Sequence, residues 1–154
     1  MCGIAGFVNV ADLPAPDLPL LRRMAGAVAH RGPDEFGTYR DATAGLAHAR
    51  LSIVDLVTGQ QPLTNEDGTL WVVFNGEVYN YVELRAELEA RGHRFRARSD
   101  TETLLHSYEE WGERAVERRN GQFAVAIWDR ERRRRHSRRR ATEWKAGNDA
   151  RLSR

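Results

Sequence analysis

The sequence has little cysteine and no long apolar segment. Its 154 residues include one cysteine, Cys2, so no disulfide can form within the chain, and we expect a reducing compartment such as the cytoplasm. No apolar run approaches the roughly 20 residues that a membrane-spanning helix needs. The N-terminus also lacks the basic segment that precedes the apolar stretch of a secretory signal peptide. We therefore expect a cytoplasmic globular protein with no membrane partner.

Charge is divided unevenly along the chain. Residues 1–129 carry 13 Lys and Arg against 19 Asp and Glu, a net charge of −6, whereas residues 130–154 carry 11 against 3, a net charge of +8. The second segment is rich in arginine, has no periodicity and offers almost no apolar side chains. We therefore predict a domain over 1–130 and a basic, disordered tail over 131–154.

The acidic part mixes strand and helix patterns in a way that is typical of an α+β domain with antiparallel pairs. Strands are predicted over 2–8, 44–56, 70–80 and 122–129, with an exposed strand over 93–99. Helices are predicted over 18–30 and after the cap-like residues Asn80 and Ser99, ending near Gly92 and Gly112, with loops over 30–37 and 57–69.

Cys2 is a candidate nucleophile, although a free thiol at neutral pH needs a base to become reactive. No side chain near it in the sequence supplies one. Removal of Met1, which is normal before a small second residue, would place the α-amine of Cys2 beside its own thiol. An α-amine is partly neutral at pH 7 and can accept a proton. The residue alone also fits a buried structural cysteine in an N-terminal strand, which is the commoner role.

Three further sites each allow a structural and a functional interpretation. Asn75-Gly76 interrupts a strong strand pattern, either as a hairpin turn or as the two hydrogen-bond donors of an oxyanion hole. Arg50 lies in an apolar strand and either faces solvent or binds a substrate carboxylate. Asp100 follows Ser99 at a predicted helix start, where it either caps the helix or binds a substrate ammonium group.

Together these segments resemble one family, the N-terminal glutamine amidotransferase domain, of the class II or N-terminal nucleophile type, of glutamine-hydrolysing asparagine synthetases. The similarity is collinear over about 1–130. It is carried by MCGIAGF at the start, RGPDEFG (31–37), ARLSIVDL (49–56), QPLTNEDGTLWVVFNGEVYNYVELRAELEARGHRF (61–95), SDTETLLHSYEEWG (99–112) and NGQFAVAIWD (120–129). The resemblance implies an αββα sandwich of two antiparallel sheets between helical layers, incomplete here at the C-terminus.

The resemblance also implies roles for individual residues in hydrolysing L-glutamine to glutamate and ammonia. Cys2, freed of Met1, forms a γ-glutamyl thioester with its α-amine as base, while Asn75 and the Gly76 N–H stabilise the oxyanion. Arg50 holds the α-carboxylate of glutamine and Asp100 its α-ammonium group. The rest of the pocket is formed by Leu51, Ser52, Ile53, Val54 and Glu77. This step uses no metal ion or cofactor, whereas ATP and Mg²⁺ belong to the synthetase domain that amidates aspartate.

The chain departs from the family pattern in three places. After AIWD it continues with arginine-rich sequence where relatives have a further strand, which suggests a reading-frame change or an early stop. No Ser-Gly-Gly phosphate loop of an ATP-dependent synthetase occurs, so aspartate amidation would need a separate synthetase domain or protein. Arg119 stands where an apolar residue is usual.

These departures leave two alternatives to a working glutaminase. The chain could be an inactive remnant or a non-catalytic fragment that binds glutamine or a partner. It could also bind nucleic acid through its basic tail, although one tryptophan and no recognisable fold around it disfavour this reading.

Overall fold

The computed structural model describes residues 2–9, 17–51, 59–96, 99–131 and 134–140. Within them lie seven β-strands and three α-helices. The strands are β1 (Gly3–Val8), β2 (Glu35–Arg40), β3 (Ala44–Arg50), β4 (Leu63–Thr64), β5 (Leu70–Val78), β6 (Gly121–Asp129) and β7 (Arg134–Arg140). The helices are α1 (Leu18–Ala27), α2 (Tyr81–Ala90) and α3 (Asp100–Trp111), with 3₁₀ turns at Ala29–Arg31 and Gly112–Arg118. None of the described helices is long and apolar enough to cross a membrane.

The strands form two antiparallel sheets. The first sheet has the order β1-β3-β2 and the second the order β4-β5-β6-β7. In the first sheet Gly3 pairs with Ala49, and in the second Val72 pairs with Ile127. Strands β5 and β6, the central pair of the second sheet, are long and largely apolar, because burial on two faces needs side chains that are apolar on both.

Three apolar clusters set the order of the layers. The outer face of the first sheet packs on α1 through Leu21, Ala25 and Ala47. The facing surfaces of the two sheets meet through Ala44, Leu46, Val73 and Trp128. The other face of the second sheet packs on α2 and α3 through Val72, Phe74, Leu84, Leu104 and Leu105. The layers are therefore α1, first sheet, second sheet and α2–α3, which confirms the predicted α+β class and its αββα arrangement.

Three local predictions from the sequence are wrong. Residues 35–37 belong to β2 rather than to a loop, because the backbone pairs with β3 from Glu35 onward despite the flanking glycines. Residues 93–96 form no strand, and 97–98 lie outside the described residues. Disorder was predicted from 131 onward, yet 134–140 form β7 on the edge of β6, where backbone hydrogen bonding does not depend on apolar side chains. Residues 141–154 also lie outside the described part.

Both predicted helix ends are confirmed, but the predicted side-chain caps are not. Gly92 and Gly112 follow α2 and α3 with φ of +100° and +58°, a region that favours glycine. Asn80 precedes α2 without capping it. Its side chain instead donates to the Arg118 carbonyl and accepts from the Asn120 N–H, which ties the start of α2 to the segment before β6.

Candidate active site

Cys2 lies at the open end of the first sheet. Because Gly3 pairs with Ala49, Cys2 stands opposite Arg50, the last residue of β3. The Leu51 N–H donates to Cys2 Sγ at 3.4 Å, and Arg31 Nε donates to the Cys2 carbonyl at 3.2 Å. The residue is half-buried. The thiol therefore sits at a strand end with backbone contacts that orient it, and not in the middle of a buried strand.

Arg50 is buried rather than solvent-facing. It is 4% exposed, and its NH1 forms an ion pair of 2.8 Å with Glu35 Oε2 on the neighbouring strand β2. The backbone around it is also fixed, since the Asp34 N–H donates to the Arg50 carbonyl. A guanidinium held in this way beside Cys2 can contribute a directed, charged donor to a ligand at the sheet end.

Asn75 and Gly76 continue β5 without a turn. Asn75 pairs with Ala124 and Gly76 with Phe123, which excludes the hairpin alternative. Gly76 has φ of +147°, and a Cβ there would overlap the Gln122 carbonyl oxygen. Glycine is therefore required by the close approach of β6 and by the positive φ.

Two side chains that the sequence analysis missed lie close to the backbone of Phe74, the residue before Asn75. Its N–H donates to Gln61 Oε1 at 2.6 Å. His48, a residue of β3, lies near enough to the Phe74 backbone for that backbone to affect its pKa, so the two sheets approach each other at this point. A glutamine before a proline and a histidine in an apolar strand carry no sequence signal that separates them from ordinary loop and core residues.

His48 is neutral at physiological pH. Burial lowers its pKa, the Phe74 backbone opposes this, and the nearby Arg50 charge lowers it further, so that the pKa is about 4. The side chain is 1% exposed. His48 therefore brings the strand that ends in Arg50 close to the strand that carries Asn75, and it does so without adding charge.

Asp100 begins α3 and lies against the end of β5. Its Oδ2 accepts from the Val78 N–H at 3.1 Å. Burial raises its pKa, the Val78 hydrogen bond lowers it, and the charge of Glu77 raises it, with a result of about 6. Glu77 itself is exposed. The two carboxylates make a negative patch beside β5, suited to a cationic group.

The candidate residues form two groups, one at the end of β3 and one along β5, and these two strands face each other across the sheets. Cys2, Arg50 and Leu51 lie at the end of the first sheet, while Asn75, Gly76, Glu77 and Asp100 lie along and beside the second half of β5. His48 of β3 also lies near the Phe74 backbone of β5. Ser52, Ile53 and Val54 lie outside the described residues.

Comparison with known proteins identifies the family. The family profile that matches residues 1–141 describes a glutamine amidotransferase domain. The chain belongs to this family. The match includes β7, which the sequence analysis assigned to the tail, and the domain boundary at 130 stays a prediction.

Relatives of this amidotransferase domain point to one group of enzymes. The chain is 46% identical over 132 residues to "asparagine synthetase [glutamine-hydrolyzing] 1" of Bacillus subtilis (strain 168), and the match covers 84% of this chain and 21% of that protein. It is 42% identical over 129 residues to "asparagine synthetase [glutamine-hydrolyzing] 2" of Oryza sativa subsp. japonica, covering 84% and 22%. The chain thus spans about a fifth of the length of these relatives. The predicted resemblance is confirmed.

Among solved structures, the domain is similar to glutamine phosphoribosylpyrophosphate amidotransferase from B. subtilis. The TM-score is 0.45 at 26% sequence identity, covering 59% of this chain and 22% of that chain.

Proposed function

We propose that this amidotransferase domain hydrolyses L-glutamine to glutamate and ammonia, with Cys2 as the nucleophile. The observation that carries the proposal is the position of Cys2. The strand register sets it opposite the buried Arg50, with its thiol on the Leu51 N–H. A nucleophile, a charged substrate anchor and backbone donors are thus gathered at one sheet end in a chain of an amidotransferase family.

The reaction proceeds in two steps. With Met1 removed, the free α-amine of Cys2 takes the thiol proton as Sγ attacks the side-chain carbonyl carbon of glutamine. The carbon–nitrogen bond then breaks, the amine returns the proton to the leaving nitrogen, and ammonia and a γ-glutamyl thioester result. In the second step water adds to the thioester, the carbon–sulfur bond breaks, and glutamate and the free thiol are formed.

Two charged groups orient the substrate in this proposal. Arg50 binds the α-carboxylate of glutamine, which lies next to Glu35. Asp100 binds the α-ammonium group with help from Glu77. Support comes from the burial of Arg50 and from the negative patch at the start of α3. The backbone of Leu51 and residues Ser52, Ile53 and Val54 complete the pocket.

Asn75 and the Gly76 N–H stabilise the oxyanion that forms during both steps. Support comes from the continuous strand β5 and from the Gln61 contact that holds Phe74 just ahead of them. Donors that are fixed before the reaction need no reorganisation as charge develops, and this is the main source of their effect.

The ammonia is destined for the ATP-dependent amidation of aspartate by a synthetase domain or protein, in the cytoplasm. The names of the relatives support this acceptor, and the chain spans only about a fifth of their length. Glutamine hydrolysis itself needs no metal ion or cofactor in this proposal, and ATP and Mg²⁺ act at the synthetase.

The deciding experiment measures glutamate formation by the purified chain, after intact-mass analysis has verified the loss of Met1. Cys2→Ala should reduce turnover by at least about 10³-fold. Hydroxylamine should trap the thioester of the unaltered chain as γ-glutamyl hydroxamate. Equal turnover in both proteins would overturn the mechanism. Calorimetry that detects glutamine binding without turnover would instead favour a non-catalytic fragment.

A further inference from the structure

A second cluster of polar side chains lies where α2 connects to α3, apart from the residues assigned to glutamine hydrolysis. His93 follows the end of α2, and His106 and Glu109 lie one turn apart on α3. Their ligand-type atoms are all within 4.8 Å of one another. Glu109 Oε2 is 2.7 Å from His106 Nδ1 and 3.4 Å from His93 Nδ1. Two imidazole nitrogens and one carboxylate oxygen therefore lie close together, and a metal ion bound there would replace the hydrogen bond between His106 Nδ1 and Glu109 Oε2.

His93 has a carboxylate on its second ring nitrogen, whereas the buried His106 Nε2 has no hydrogen-bond partner among the described residues. His93 Nε2 is 3.3 Å from Glu110 Oε2. His106 Nε2 lies 3.9 Å from Glu102 Oε1 and 4.0 Å from Glu66 Oε1, and the His106 side chain is 1% exposed. A carboxylate behind a ligating imidazole fixes its ring and its tautomer in protein metal sites. Both rings present Nδ1 to Glu109, His93 with Glu110 behind it and His106 through its own contact with Glu109.

The Glu109 carboxylate is held from behind as well. Its Oε1 accepts from Asn65 Nδ2 at 2.7 Å, and Asn65 is buried in the turn that joins β4 and β5. The Asn65 side chain is fixed in turn by the Leu70 N–H, which donates to Asn65 Oδ1 at 3.0 Å. Oε2 is consequently directed at the two Nδ1 atoms by contacts outside the cluster.

We propose that His93, His106 and Glu109 bind one divalent transition-metal ion, Zn²⁺ in the first place. Two imidazoles and a carboxylate are a donor set that zinc accepts, at about 2.0–2.2 Å from each ligand. Tetrahedral ligands at that distance lie about 3.3 Å from one another, and the two measured separations lie on either side of this value. A water molecule takes the fourth position.

The charge around the cluster suits a dication. Four carboxylates surround it, from Glu66, Glu102, Glu109 and Glu110. Of these, Glu110 is also paired with Arg91 at 2.8 Å. The Arg96 N–H donates to Glu102, so part of this charge is already compensated, and a bound ion would offset the remainder. It would also join the segment after α2 to the middle of α3.

The test is calorimetric titration of the full chain with ZnCl₂ in the Cys2→Ser background. That background is needed because a terminal amine and thiol chelate zinc themselves. We expect saturable binding of one ion per chain, at least tenfold weaker binding in both His93→Asn and Glu109→Gln, and a rise in melting temperature with zinc that these variants lose. Titration with CoCl₂ should give visible absorption bands of a four-coordinate site that disappear in the same variants.

A matched control and circular dichroism separate binding from folding. His30→Asn alters an exposed histidine outside the cluster and should bind zinc as the parent does. Glu109→Gln keeps an acceptor and the shape of the side chain, so it remains informative if His93→Asn unfolds. The absence of saturable binding would overturn the proposal and leave a hydrogen-bonded cluster only. Unchanged affinity in folded Glu109→Gln would overturn it too.

Discussion

The side chain of Gln61 supplies the hydrogen-bond acceptor for Phe74 that a neighbouring strand would otherwise provide. Strand β4 pairs with β5 only at Val72 and Trp71, and beyond that point the Phe74 N–H donates to Gln61 Oε1 at 2.6 Å. Gln61 is 8% exposed, and its Nε2 donates to Thr101 Oγ1 at 3.4 Å. One side-chain amide thus fixes the peptide ahead of Asn75 relative to α3.

Gln61→Leu should therefore lower kcat more than it raises KM. The leucine leaves the buried Phe74 N–H without its acceptor, which costs about 1–3 kcal/mol of stability. It also loosens the segment that carries the proposed oxyanion donors, and we expect a decrease of about tenfold in kcat. Steady-state glutaminase assays well below the melting temperature measure this. Gln60→Leu, at an exposed neighbour, is the control, and an unchanged kcat in folded Gln61→Leu would show that Gln61 serves stability alone.

The sequence predicted the layers better than the contacts between them. Apolar runs such as those of β5 and β6 identify buried strands because burial on two faces demands them. Gln61 could not be identified in this way, since its role depends on where β4 stops. The wrong prediction of disorder over β7 has a related cause. That prediction rested on the arginine side chains, whereas β7 pairs with the edge of β6 through backbone groups. The assignment of Ser52, Ile53 and Val54 to the glutamine pocket stays a prediction.

Gly76→Ala should destabilise the fold and reduce glutamine hydrolysis. A Cβ at this residue would lie 2.5 Å from Phe123 Cα, and φ of +147° is unfavourable for alanine. We expect a loss of about 2–4 kcal/mol in the free energy of unfolding. Urea denaturation measures it. Gly26→Ala is the matched control, because a Cβ at Gly26 in α1 meets nothing within 4 Å and should stabilise by about 0.5–1 kcal/mol. Similar effects at both glycines would contradict the close approach of β6.

The proposed role of Asp100 as the ammonium anchor predicts that glutamine binding depends on pH. Its pKa of about 6, raised above all by burial, means that the carboxylate is protonated below that pH and no longer attracts the substrate ammonium group. The apparent KM should be constant above pH 7 and should rise below pH 6, approaching about tenfold per pH unit. Asp100→Asn should raise KM about 10- to 100-fold at pH 7.5 and remove this pH dependence. A KM profile that is identical in both proteins would exclude Asp100 as the ammonium anchor.

The same substitution should stabilise the protein. Because the folded-state pKa of about 6 lies above the ordinary aspartate value of 3.8, the native state binds the proton more tightly than the unfolded chain does. The contribution of protonated Asp100 to the free energy of unfolding is therefore present at low pH and is lost as pH rises from about 4 to about 6. At pH 7.5 Asp100→Asn should gain about 1–3 kcal/mol in the free energy of unfolding, and near pH 4 it should gain little. Glu113→Gln, at an exposed site, should show neither effect in the same denaturation series.

Arg119→Met should also stabilise the fold, without a change in KM. Arg119 is 3% exposed, and its NH2 donates to the Leu104 carbonyl at 3.0 Å. Burial lowers its pKa to about 10, which is the effect of removing a cation from water. Replacing a buried charge by an apolar side chain of similar length is often stabilising, here by about 1–3 kcal/mol. The Leu104 carbonyl lies inside α3, so loss of the arginine does not leave it without a hydrogen-bond donor. Arg114→Met, at a side chain that is 84% exposed, should change stability by less than about 0.5 kcal/mol. A folded Arg119→Met less stable than the parent would mean that the guanidinium contacts outweigh its desolvation.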